Sequence, residues 1–243
     1  DIKIFIEYGM ISEPKFYEKA EKFVLFKNTD RKYFTLEEYK KQIEKTQKDK
    51  DKKLVYLYAN NQDEQYSYIQ NAKDRGYDVL IMDGVLDPHF INTLEQKLSD
   101  SVFARVDSNT IDKLIVKEEE APSKLDDKQK EALKKAFERN IDSKQFEVTF
   151  ENLSESDMPV TIIQNEFMRR MKDMEAIGGS PMMGLGGLPD TYNLVINTNN
   201  PLVDKIVGEE EQKQDQLIKQ IYDLARLSKN LLKGKELDEF VKR

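Results

Sequence analysis

Asp78-Val79-Leu80-Ile81-Met82 is the stretch that sets the fold class of the first half of the chain. Four apolar residues run without alternation, the pattern of a short strand covered on both faces. A companion lies upstream in Leu54-Val55-Tyr56-Leu57-Tyr58, β-branched and aromatic in character. Val102 to Val106 offers a third strand. Helical patterns separate them. A polar helix ends near Gly76, and Asp87-Pro88 opens another with Pro at its first position, followed by Phe90, Ile91, Leu94 and Leu98. Further upstream, Lys15 to Val24 places Phe16, Ala20, Phe23 and Val24 at helical spacing. Thr35 is a good N-cap, and Glu38 three residues on completes a capping-box pattern. Strands separated by helices imply a parallel sheet with helices on its faces. Residues 1–116 are therefore expected to be α/β, a small αβα layer domain.

Lys117-Glu118-Glu119-Glu120-Ala121-Pro122-Ser123 carries no large apolar side chain and reads as a linker over 117–124. Residues 125–243 follow a different grammar. A helix from about Asp126 to Asn140 precedes a strand pair, Gln145 to Phe150 and Val160 to Ile163. An amphipathic helix from about Glu166 to Ala176 and a glycine-rich loop come next, then a third strand, Tyr192 to Ile196. Long helical patterns fill the end. The expectation is an α+β domain closing in a helical hairpin.

Composition narrows the function classes. Of 243 residues, 38% are hydrophobic and 35% charged, which suits small domains with much solvated surface. The net charge of −7 argues against nucleic acid, where contacts to phosphate dominate affinity. Asp interrupts the basic run Lys48-Asp49-Lys50-Asp51-Lys52-Lys53, so a solvated turn is expected there. The absence of cysteine excludes disulfides, thiol catalysis and Cys-ligated zinc, and fits a reducing cytoplasm. No apolar run approaches a membrane span of ~18–20 residues. The opening Asp1-Ile2-Lys3-Ile4-Phe5-Ile6 is no signal peptide and begins inside a periodic segment, as a piece cut from a longer protein would.

The methionines are the most informative feature. Eight occur, and six of them lie between Met158 and Met183. Met168, Met171 and Met174 share a helix arc with Phe167, and the loop after Gly178 carries Met182, Met183, Leu185 and Leu188 among its glycines. A glycine-rich loop buries such side chains at a high ordering cost, ~1–2 kcal/mol per residue. Unbranched, polarizable Met adapts to varied partners. These eight residues are the candidate client-binding surface. The loop is not a phosphate site, since no Gly-Lys-Ser/Thr opens a helix after it. The single His89 supports no zinc cluster, and Asp83 and Asp87 read as turn chemistry rather than a catalytic pair. In the tail, Leu217, Ile221, Leu224 and Leu231 form one stripe, and Ile218, Tyr222, Ala225 and Leu232 a second, with Leu237, Phe240 and Val241 beyond Gly234. Two stripes exceed what one small sheet covers. Leu217, Ile221, Leu224, Leu231, Leu232 and Phe240 are the candidate dimer interface, in a symmetric four-helix bundle.

The ordered set of segments resembles a known family. Thr35-Leu36-Glu37-Glu38-Tyr39, Leu54-Val55-Tyr56-Leu57, Arg75-Gly76-Tyr77-Asp78-Val79-Leu80-Ile81-Met82, Asp87 and Leu94 resemble the end of the middle domain of the bacterial heat-shock protein 90 chaperones. Met168-Arg169-Arg170-Met171, Asn197-Thr198-Asn199-Asn200-Pro201-Leu202-Val203 and Phe240-Val241-Lys242-Arg243 look like that family's C-terminal dimerisation domain. Asn200 stands where the family usually has His, and His89 where an aromatic is common. The resemblance implies a homodimeric, ATP-driven chaperone that remodels non-native client proteins. It also implies that the nucleotide domain and the arginine assisting hydrolysis lie upstream of Asp1. This chain is then expected to hold no cofactor, ATP and magnesium belonging to the full-length parent, and to be no enzyme alone. Two alternatives stay open: an ATP-independent, Met-rich peptide-binding adaptor, and a doubly wound α/β enzyme, for which Asp83-Gly84 after the second strand is thin support.

Overall fold

A computed structural model describes residues 2–116, 122–164 and 191–242, and the chain divides into two compact units, the first of them containing residues 2–116. In the first unit, helices α1 (Lys3–Ser12) and α2 (Pro14–Ala20) precede a small hairpin of β1 (Leu25–Lys27) and β2 (Tyr33–Thr35). Then follow α3 (Leu36–Ile43), β3 (Leu54–Ala59), α4 (Tyr66–Asp74), β4 (Leu80–Ile81), α5 (Asp87–Lys97), β5 (Ser101–Arg105) and α6 (Ile111–Leu114). The sheet order is β4-β3-β5 with both pairings parallel, as alternating strands and helices dictate.

All six residues of β3 are buried because both faces of this central strand are covered. Leu54, Tyr56 and Tyr58 enter one core with Phe103, Phe90, Leu94, Tyr39 and Met10, contributed by β5, α5, α3 and α1. Val55, Leu57 and Ala59 enter a second core with Ile69 and Ala72 of α4 and Ile111 of α6. Tyr56 and Phe103 stack at 4.6 Å between ring centroids.

Thr35 caps α3 as its sequence suggests. Its Oγ1 accepts from the Glu38 backbone N–H at 3.3 Å, and Glu38 Oε2 accepts from the Thr35 N–H at 2.8 Å. The basic run forms a turn in which Lys52 has φ +64° and the Asp49 carboxylate accepts from the Lys53 N–H at 2.8 Å. The helix expected over Lys15 to Val24 stops at Ala20. Tyr17, Ala20 and Val24 face the core, while Phe16 and Phe23 are exposed, because the chain turns at residues 21–23 to start β1.

The second unit begins with α7 (Asp127–Asn140), capped reciprocally by Asp126 and Gln129. Its strands are β6 (Phe146–Glu151), β7 (Val160–Ile163) and β8 (Tyr192–Asn197), followed by α8 (Pro201–Val207), α9 (Glu211–Ser228) and α10 (Gly234–Val241). The expected pairing of β6 with β7 is not what forms. The order is β6-β8-β7, with β8 parallel to β6 and antiparallel to β7. β8 carries the apolar run Leu194-Val195-Ile196, all buried, and the centre of the sheet satisfies hydrogen bonds on both its edges. One sheet face packs with Leu133 and Phe137 of α7, Val203 and Ile206 of α8, and Ile218, Tyr222 and Ala225 of α9.

The segment 197–200 ties this unit together. Asn197 Nδ2 donates to the Ser154 carbonyl at 2.7 Å, Asn199 Nδ2 to the Leu153 carbonyl at 3.1 Å, and Thr198 Oγ1 to Asn152 Oδ1 at 2.7 Å. Asn200 caps α8, its Oδ1 accepting from the Leu202 N–H at 2.8 Å, with Pro201 at the first helical position. That cap accounts for an Asn at this position.

Candidate functional site

Helix α9 shows two sides with different duties. Ile218, Ile221, Tyr222 and Ala225 are buried against the unit's own sheet, and Tyr222 meets Phe146 edge-on at 5.3 Å. Burial pushes the Tyr222 phenol up to about 12, against the pull of the neighbouring Arg226. Leu224 and Leu227 lie one turn apart on the outer side, 48% and 38% exposed. A turn containing Asn230 at φ +54° leads to α10, with Gly234 at φ +57°. There a side chain would be strained, which suits glycine at the entry to the helix. The hairpin is pinned by Arg226, whose guanidinium lies 5.3 Å from the Tyr222 ring centroid and pairs with Glu236 of α10. No residue of α10 is fully buried, and Val241 is 73% exposed.

Of the tail residues singled out from sequence, Ile221 and Leu232 are buried in the chain's own core, and Leu217 and Leu231 pack against it. Phe240 is half-buried. Leu224 alone projects outward, joined by Leu227 and Val241. Leu227, one turn on from Leu224, could have been found by following the helical period. The client-surface candidates Phe167, Met168, Met171, Met174, Met182, Met183, Leu185 and Leu188 lie outside the described residues.

In the first unit the sequence reading passed over a buried charged cluster. Lys3 Nζ reaches both carboxylate oxygens of Asp87 at 3.2 Å and Glu7 Oε1 at 3.3 Å. Asp87 and Glu7 are buried. Asp87 Oδ2 also accepts from the Gly84 N–H at 2.7 Å, so the expected turn chemistry is present as well. Burial, then the adjoining Asp87 charge and a hydrogen bond between the two acids, push the Glu7 carboxyl up to about 7, and Lys3 opposes this. Burial alone would lower the Lys3 ammonium, but the two carboxylates outweigh it and raise it. The cluster borders a cavity of about 380 Å³, lined by apolar residues including Ile6, Val24, Phe26 and Phe90. No sequence signal marked Glu7, because the carboxylate it meets, Asp87, is distant along the chain. Among the described residues, no group of three or more His, Asp or Glu is placed to hold a metal ion, and no helix is long and apolar enough to cross a membrane.

Two mixed α/β units, the second ending in a helical hairpin with an uncovered apolar side, define a chain built on parallel-sheet and hairpin modules. The sequence model of the Hsp90 protein family matches residues 3–242, and the chain belongs to that family. "Chaperone protein htpG" of Bacteroides fragilis (strain YCH46) is 48% identical over 216 residues, covering 88% of this chain and 32% of the relative. "Chaperone protein HtpG" of Porphyromonas gingivalis (strain ATCC 33277) is 45% identical over 243 residues, 98% of this chain and 35% of the relative. That of Bacteroides thetaiotaomicron is 47% identical over 214 residues, 87% and 31% respectively. The chain thus spans about a third of the length of the curated relatives it matches.

Proposed function

We propose that this chain is the dimerising and client-contacting part of an ATP-dependent molecular chaperone of the Hsp90 family. The observation that carries the reading is the α9–α10 hairpin. Its inner side completes the second unit's core, and Leu224, Leu227 and Val241 remain uncovered. Self-association through a two-fold axis would bury both copies of this surface at once. The domain boundary is placed within 117–124. ATP and magnesium are assigned to the part of the relatives' length beyond this chain, which itself holds no cofactor and is no enzyme. The partners are a second copy and non-native proteins, with no nucleic acid or membrane, and the compartment is the cytoplasm.

Clients are assigned to Phe167, Met168, Met171 and Met174 together with Met182, Met183, Leu185 and Leu188. Each apolar anchor buried in a client contributes ~1.5–3 kcal/mol, and ordering a glycine-rich loop offsets several of these. The net of a few kcal/mol corresponds to dissociation constants between ~10 micromolar and millimolar, weak enough for a client to leave. Replacing Met171 and Met174 with Ser is expected to leave the oligomeric state intact. It should raise the chain concentration needed to suppress aggregation of a thermally unfolding model protein by about tenfold, a loss of ~1.4 kcal/mol. Light scattering during heating reads this. An unaltered suppression curve, or loss of the second unit's folding, would remove the methionines from the client surface.

A further inference from the structure

Lys3, Glu7 and Asp87 bridge two helices that sequence separates widely, and they do so where the cavity of about 380 Å³ meets α1. That cavity is lined by α1, through Lys3, Ile6 and Glu7, and by residues of β1 and the end of β4. Two carboxyls and one ammonium cannot all be charged here without leaving a net negative charge among buried atoms. Such a charge is costly in a low-dielectric interior. With one proton on the acid pair, the cluster is neutral, and the Glu7 carboxyl donates to Asp87 while Lys3 neutralises the remaining carboxylate. We propose that this cluster is a proton-linked latch between α1 and the start of α5: a single proton held between the two acids keeps α1 closed over the cavity, and its loss loosens the helix.

The direction follows from linkage. Glu7 is held up to about 7 when α1 is docked and returns toward its ordinary carboxylate value of 4.5 when α1 lifts away. The docked state therefore binds the extra proton between those limits. Docking is favoured at the acid end, weakens as pH rises through the window, and levels off above it. Each pH unit inside the window changes the opening constant by up to about tenfold. Lifting α1 uncovers Met10, buried in the closed state, and Ile6 beside the cavity. Among the described residues, Lys3 of its own helix and Asp87 of α5 act on Glu7, while Lys27 of β1 and Asp83 before α5 line the same cavity.

Amide hydrogen exchange on the 243-residue chain tests this. After correction for intrinsic exchange, protection of the α1 amides should fall by about tenfold or more between roughly pH 5 and pH 7.5, then level off. Glu7→Gln keeps a donor to Asp87 and has no charge to lose, so its α1 protection should be high and flat across that range. Lys3→Met removes the opposing cation and should move the wild-type midpoint to higher pH. His89→Gln controls for the chain's single imidazole and should leave the transition in place. A flat wild-type profile, a transition surviving in Glu7→Gln, or one abolished by His89→Gln overturns the latch. Should Glu7→Gln fail to fold, the Lys3→Met arm decides alone: an unmoved or lowered midpoint refutes the proposal.

Discussion

A chain carrying Leu224→Glu and Leu227→Glu is expected to be monomeric and to melt as cooperatively as the unaltered chain. Both leucines lie on the outer side of α9, and neither belongs to the buried core of the second unit. In the monomer the substitutions are surface changes, within about ±0.5 kcal/mol. In a two-fold dimer each counts twice. Four leucines leaving a contact forfeit ~1.5–3 kcal/mol apiece when fully buried, and four carboxylates are brought together in their place. Association costs already cancel much of the gross gain. Losing even ~4 kcal/mol weakens the dimer about a thousandfold. Size-exclusion chromatography with light scattering should show the mass halve while melting stays cooperative, its midpoint lowered only by the dimer stabilisation that is lost. A variant that remains dimeric would move the interface off this face.

The opposite face of the same helix should respond in the opposite way. Ile218 lies nine residues before Leu227, two and a half helical turns away, so it points inward. It has no exposed surface and packs among Leu133, Phe137, Leu194 and Ile196 of α7 and β8. Ile218→Ala removes three carbon atoms from a close-packed core and leaves a cavity, costing about 2–5 kcal/mol of the second unit's stability. Urea unfolding followed by circular dichroism should show the second unit's midpoint fall. The first unit has its own two cores, to which Ile218 contributes nothing, so its transition should hold. A loss below ~1 kcal/mol would mean that α9 is not anchored to the sheet as described.

How much of this was readable beforehand differs by element. The central strand was legible at Leu54 to Tyr58 because β-branched and aromatic side chains favour a pleated strand, and β4 was legible in the unbroken apolar run Val79 to Met82. The capping box at Thr35 and the helix start at Asp87-Pro88 were legible because the chemistry of a helix's first turn is local. The position of β8 was not. Sequence neighbours pair by default, and nothing in Val160 to Ile163 says that a strand some thirty residues later will sit between it and β6. The tail showed two apolar stripes, but a helical period is symmetric about its axis. Only the sheet beneath α9 decides that Ile218 and Ile221 turn inward and Leu224 and Leu227 outward. Glu7 was invisible for a related reason: nothing in a lone Glu announces that a helix far along the chain will bring Asp87 over it.

The central claim is that the hairpin of α9 and α10 joins two copies of this chain, and its most direct test is the mass of the unaltered protein in solution. Sedimentation velocity at about ten micromolar and above should give a species of twice the 28.5 kDa chain mass, dissociating on dilution with a dissociation constant of ~1 micromolar or below. A single 28.5 kDa species at every concentration would contradict the account.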